Sequence, residues 1–133
     1  MPSIVTRLSI RSKNLFTNGI TGRFDKVTSV GQDADRRVRT IKEASGAPAT
    51  LIDATDYHSA GTETVFMFIK NLTGTANKFL YVKIGSQIAF KLKPNGYTIF
   101  PWYVNSGSTD IMIYSNDAST GVKVEYFSSK EST

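Results

Sequence analysis

Short runs in which apolar and polar positions alternate, separated by turn residues at near-regular spacing, occupy residues 65–127. This is the signature of an antiparallel sandwich or barrel. The pattern predicts strands over Val65–Lys70, Phe79–Ile84, Ile88–Lys93, Tyr97–Val104, Asp110–Ser115 and Val122–Phe127. In Ile88–Lys93 the split is clean: Ile88, Phe90 and Leu92 fall on one side, Lys91 and Lys93 on the other. Val122, Val124 and Tyr126 repeat that pattern against Lys123 and Glu125. Phe79–Ile84 is apolar on both faces up to Lys83, which predicts a central strand covered on both sides. Pro94-Asn95-Gly96 supplies the fixed φ and the turn chemistry of a tight hairpin between Ile88–Lys93 and Tyr97–Val104. Gly85-Ser86-Gln87 reads as another short hairpin loop. Pro101 cannot donate to a ladder, so the Tyr97–Val104 run is expected at a sheet edge or at a bulge.

The first sixty residues are less regular. Ser3–Ile10, Phe24–Val30 and Arg36–Ile41 each have strand character, and Arg11–Gly22, with its asparagines and glycines, reads as a long loop or arm. Leu51–Tyr57 reads as a strand end or as a helical turn capped by Asp53. The expected fold is all-β: one domain over residues 1–133, an antiparallel β-sandwich of jelly-roll or immunoglobulin-like type. An irregular basic N-terminal segment precedes it, with residues 1–22 as an extended arm or edge strand and residues 65–127 as the most regular β region.

Length and composition agree with a single domain, since 133 residues at 40% hydrophobic and 20% charged suffice for a real core. No cysteine occurs and histidine occurs once, at His58. Disulfides, thiolate metal sites and cysteine nucleophiles are thereby excluded, and a Ser-His triad would hang on His58 alone. The longest uncharged apolar run, Val65–Ile69, is five residues, far short of the ~20 a membrane-spanning helix needs. With no basic n-region and apolar h-region at the start, the expectation is a soluble protein made and kept in a cytoplasm, or released by lysis.

The net charge of +5 is uneven: residues 1–42 carry nine basic and three acidic side chains, residues 43–133 seven and eight. All the arginines, Arg7, Arg11, Arg23, Arg36, Arg37 and Arg39, lie in the first third. Arginine holds carboxylates and phosphates with a planar fork, so this segment reads either as a solvated face, the simpler reading, or as a surface that meets an anionic partner, an acidic protein before nucleic acid. If Arg36–Arg39 is a strand, alternation sets Arg37 and Arg39 on one face.

Candidate chemistry is sparse. Asp53-Ala54-Thr55-Asp56-Tyr57-His58 offers two carboxylates and an imidazole but not the spacing of a calcium loop, and a solvated loop is the simpler reading. Glu63, Asp110, Asp117 and Glu125 are too dispersed to argue a glycosidase pair. No glycine-rich phosphate loop occurs. No catalytic residue, cofactor or metal is therefore assigned. Asn71-Leu72-Thr73 is a glycosylation triplet without a secretory route to use it. Tyr97, Phe100, Trp102 and Tyr103 gather around Pro101. Alternation sends Phe100 and Trp102 to one face and Tyr97 and Tyr103 to the other, one set for the core and one for an interface or ligand. The interface candidates are thus Arg7, Arg11, Arg36, Arg37, Arg39, Tyr97, Phe100, Trp102 and Tyr103.

Ile69-Lys70-Asn71, the Leu92-Lys93-Pro94-Asn95-Gly96 turn, Phe100-Pro101-Trp102 and Val124-Glu125-Tyr126 resemble strings in the C-terminal half of small β-sandwich virion proteins of tailed bacteriophages. The resemblance covers roughly residues 65–127; the basic first third does not share it. It implies a non-enzymatic structural component of the particle: a capsid decoration (cement) protein, or failing that a tail or fibre subunit acting as a carbohydrate-binding adhesin. Implied with it are a virion location after assembly in the host cytoplasm and a major capsid protein or other virion protein as partner; the apolar faces of Phe79–Ile84 and Tyr97–Tyr103 add the expectation of a dimer or trimer. No membrane is implied. A single-stranded nucleic-acid binder ranks below these, because the arginines and the aromatic cluster lie far apart in sequence. An enzyme ranks last, since no nucleophile is paired with a base.

Overall fold

A computed structural model describes residues 3–12, 20–29, 35–58, 63–105 and 107–131. Its strands, in chain order, are β1 (Ser3–Ser12), β2 (Ile20–Ser29), β3 (Asp35–Ile41), β4 (Ala49–Ile52), β5 (Glu63–Asn71), β6 (Leu80–Ile84), β7 (Gln87–Leu92), β8 (Tyr97–Val104), β9 (Ile111–Ser115) and β10 (Val122–Lys130). One short helix, α1 (Thr55–His58), lies between β4 and β5. Among the described residues no helix is long and apolar enough to cross a membrane.

Two four-stranded antiparallel sheets, ordered β3-β10-β5-β8 and β4-β9-β6-β7, form the sandwich. The pairing is nested: β3 with β10, β4 with β9, β5 with β8, β6 with β7. Such nesting is what results when one long antiparallel ribbon, its tip at the β6–β7 turn, rolls up so that its halves stack, and it defines a jelly roll. An immunoglobulin-like sandwich keeps its first two strands in one sheet. Here β3 and β4 lie in different sheets, so the jelly-roll alternative is the one realised.

Alternation builds the core between the sheets. Val65, Met67 and Ile69 of β5 and Val122 and Val124 of β10 are fully buried, facing Leu80 and Val82 of β6 and Ile111 and Ile113 of β9. A buried aliphatic side chain of this size contributes roughly 1.5–3 kcal/mol. Asn71, also fully buried, closes the corner where β5 ends: its Nδ2 donates to Lys78 O at 2.9 Å and Leu92 O at 3.1 Å, and its Oδ1 accepts from Thr73 N at 3.0 Å. The glycosylation triplet is thus a structural device whose amide is inaccessible in the folded protein.

Four expectations are corrected. Pro94-Asn95-Gly96 does not close a hairpin, because β7 and β8 belong to different sheets. It is a corner between sheets: Gly96 N donates to Lys93 O at 2.7 Å, and Asn95, at φ 61°, takes the left-handed position of a type II turn. Ile88 does not share a face with Phe90 and Leu92. The β6–β7 register shifts between Val82 and Lys83, and that bulge sets Ile88 opposite Lys83 with 54% of its surface exposed. Among the described residues the central strand β6 has no second layer on its outer face, where Tyr81 stacks on Tyr114 of its own sheet at 4.8 Å. Finally, Arg11, Ser12 and Ile20–Gly22 are not loop or arm but paired strand, because β1 and β2 form a two-stranded ribbon in register from Ser3↔Ser29 to Ser12↔Ile20. The ribbon adds no strand to either sheet.

Candidate interaction face

The register of β8 on β5 runs without a shift from Glu63↔Val104 to Lys70↔Tyr97, so Pro101 causes no bulge and sits on an edge strand. Alternation then divides the aromatic cluster as its sequence predicts. Trp102 is 5% exposed and packs edge-on against Tyr57, while Phe100 is half-buried against the core and lies 5.0 Å from the Phe90 ring. Neither is a surface platform, which removes Phe100 and Trp102 from the interface candidates. Tyr97 at 57%, Ile99 at 40% and Tyr103 at 61% point outward and stay exposed.

The outward row continues across the sheet. By register Ile99 lies beside Phe68, Phe68 beside Phe127 and Phe127 beside Arg36; the next row sets Pro101 beside Phe66. Phe66 and Phe127 meet edge-on at 6.1 Å, and Phe68 lies 6.4 Å from Tyr97. The outer face of this sheet therefore carries an apolar patch, with Phe66 covered and Phe68 and Phe127 partly exposed, bordered by Lys70, Glu125 and Arg36. Sequence reading missed Phe66, Phe68 and Phe127, although the unbroken run Val65–Ile69 carries the signal: a strand buries only alternate positions in the core, so half of such a run must face out.

At one end of this face the β1–β2 ribbon overhangs the sheet. A trough of about 440 Å³ opens between them, walled by Val5, Thr6 and Arg7 on the ribbon and by Phe66, Phe68, Tyr97, Ile99 and Phe127 on the sheet, with Arg36 and Glu125 alongside. A second cavity of about 370 Å³, between Thr6–Arg7 and Tyr97–Ile99, shares four of these walls and carries the trough over the open edge of β8.

The arginines divide. Arg36 donates from Nε to Glu125 Oε1 at 2.6 Å, and that hydrogen bond, with the carboxylate's charge, raises its pKa above the ordinary value. Arg39 is committed to the fold, donating to Thr50 O at 3.0 Å on β4 and pairing with Glu43 at 3.4 Å, so it ties the two sheets together at their open side. Arg37 also faces inward by register, opposite Tyr126, beside Asp53 and Asp56 in a cavity of about 190 Å³. Arg37 and Arg39 do share a face, but it is the inner one, so they are not an outward docking pair. Arg7 is exposed on the ribbon wall. Arg11 lies in β1 opposite Thr21, and its side chain is outside the described residues.

The dispersed carboxylates serve local structure. Asp53 Oδ1 accepts from Thr55 N at 2.9 Å and caps α1; Asp110 Oδ1 accepts from Ala54 N at 2.8 Å; Asp117 accepts from Ser119 N at 3.0 Å and pairs with Lys78. The side chains of Glu63 and His58 lie outside the described residues. Among the described residues no group of three or more His, Cys, Asp or Glu side chains is placed to hold a metal ion.

No protein-family model matches the chain, and no curated protein matches it.

Proposed function

We propose that this protein is a non-enzymatic structural subunit of a bacteriophage particle, a capsid decoration protein that stabilises the head through protein–protein contacts made by the outer face of the β3-β10-β5-β8 sheet. The observation that carries the reading is the exposed row Tyr97, Ile99 and Tyr103 of β8, with the partly exposed Phe68 and Phe127 running on from Ile99 across the same face. Monomeric soluble proteins rarely expose a large contiguous apolar surface without a partner for it. Tyrosine brings large contact area at small entropic cost, which suits an assembly interface. The jelly roll is shared by viral capsid and lectin domains, so fold analogy supports the reading without choosing between head and tail. The resemblance of residues 65–127 to phage β-sandwich proteins supports the head.

The test is co-sedimentation of purified protein with phage heads assembled without it. Saturable binding, reduced at least tenfold by Ile99→Asp with Tyr103→Asp, is the expected result. Retention on immobilised host-surface glycans without attachment to heads would replace this reading with the tail or fibre adhesin.

A further inference from the structure

The trough between ribbon and sheet has a chemistry of its own. Its floor is aromatic and aliphatic, formed by Phe68, Phe127 and Ile99, so it accepts an apolar group. Two guanidinium groups stand at its rim, Arg7 and Arg36, with the Glu125 carboxylate beside Arg36. Glu125 engages Arg36 only through Nε, and among the described residues the two terminal nitrogens of that guanidinium have no partner. A guanidinium with its terminal nitrogens open is suited to a carboxylate, which it holds bidentately. The shape excludes a compact ligand as the best fit, because the trough runs on over the β8 edge into the adjoining cavity between Thr6–Arg7 and Tyr97–Ile99. Such a channel, apolar below and with the open end of the Arg36 guanidinium at its rim, fits an extended stretch of chain.

We propose that this trough is a docking groove for an extended acidic segment of a partner protein, one large apolar side chain entering over Phe68 and Ile99 and a neighbouring carboxylate meeting Arg36. The inference deepens the proposed function, on which its biological setting rests, by naming the chemistry of the partner segment. Pro101 limits how that segment can lie. Lacking an N–H, it interrupts strand addition along β8, so the contact is made by side chains in the groove and by the short edge Tyr97–Phe100 rather than by a full added strand.

The experiment is fluorescence anisotropy with three labelled peptides and the full-length protein: Glu-Asp-Phe-Glu-Asp, the same sequence with alanine for phenylalanine, and Lys-Lys-Phe-Lys-Lys. Saturable binding of the first, at least tenfold weaker binding of the second and none of the third are expected. Arg36→Glu and Ile99→Asp, both at exposed positions, should each weaken the first peptide at least tenfold. Ile88→Asp, which changes an exposed apolar residue on the other sheet, should leave it unchanged. Absence of saturable binding, equal binding of the acidic and basic peptides, or insensitivity to either trough substitution overturns the proposal. Its failure is distinguishable from that of the proposed function: heads that bind the wild-type protein while no peptide binds retire the groove alone, and heads that do not bind it retire the decoration reading.

Discussion

The ring of Tyr57 meets that of Trp102 edge-on, with centroids 6.2 Å apart and planes at 73°, and the Tyr57 hydroxyl lies 2.6 Å from Ser128 Oγ. Tyr57 belongs to α1, which carries the chain from one sheet to the other, so this contact anchors the crossing in the core. Trp102 faces in and its neighbour Tyr103 faces out, and the two therefore report on different properties of the molecule. Trp102→Ala should cost ~3–5 kcal/mol in denaturant unfolding, because it empties a large buried volume. Tyr103→Ala should stay within about 0.5 kcal/mol, as surface substitutions do. Equal losses in both variants would contradict the assigned faces of β8.

Asn71 supplies a second stability test. Its fully buried amide bonds two carbonyls and one N–H, and Asn71→Leu keeps the volume while removing all three bonds. Each buried orphan costs about 1–3 kcal/mol where it cannot relax to water. A loss of at least ~2 kcal/mol is expected by chemical denaturation. A neutral substitution would mean that the corner opens to solvent.

These two residues also mark what was legible in the sequence. The inward position of Trp102 and the outward positions of Tyr97 and Tyr103 followed from a period of two, while the strands between residues 65 and 127 followed from short apolar or alternating runs bounded by turn residues. Asn71 was visible only as a glycosylation triplet, since its partners Lys78 and Leu92 come from segments that topology alone brings together. The Pro94–Gly96 turn shows the same limit. Its residues specify a tight turn, but whether the next strand returns to the same sheet or crosses to the other depends on long-range pairing, here of β8 with β5 and β7 with β6. Ile88 was misplaced because a bulge inverts facing and leaves no mark in the hydrophobic pattern. The arginine cluster could be counted in the sequence, yet its division between an inward clasp at Arg39 and an outward rim at Arg36 required the partners Thr50, Glu43 and Glu125.

Gly121 and Gly46 should respond oppositely to alanine. Gly121 has φ 78°, and a Cβ there would sit 2.6 Å from Thr40 Cγ2 and 3.0 Å from Ile41 O, so strain and clash coincide where the chain enters β10. Gly121→Ala should lower stability by about 1–3 kcal/mol. Around Gly46 nothing lies within 4 Å of such a Cβ. Gly46→Ala should be neutral or stabilising by up to about 1 kcal/mol, through the lower entropy of the unfolded chain. Thermal midpoints of the two variants decide it, and a more stable Gly121→Ala protein would refute the turn geometry.

Removal of residues 1–34 separates folding from attachment. Both sheets are complete without the β1–β2 ribbon, and among the described residues the buried core cluster lies within residues 41–126. A two-stranded ribbon is at best marginally stable by itself, so it depends on the sandwich, whereas neither sheet uses it as a strand. The truncated protein should therefore keep a β-sheet circular dichroism spectrum and unfold cooperatively, with most of the ~5–15 kcal/mol typical of a domain. It loses one wall of the trough, Val5, Thr6 and Arg7, and it carries less positive charge, because residues 1–34 hold five basic and two acidic side chains. Attachment to heads should then weaken, and what remains should depend less on salt than attachment of the full chain, since charges in water are screened beyond ~8–10 Å at ordinary ionic strength. Co-sedimentation at low and high salt measures both effects. Unchanged occupancy and unchanged salt dependence in the truncated protein would confine attachment to the sandwich and leave the basic ribbon as a solvated appendage.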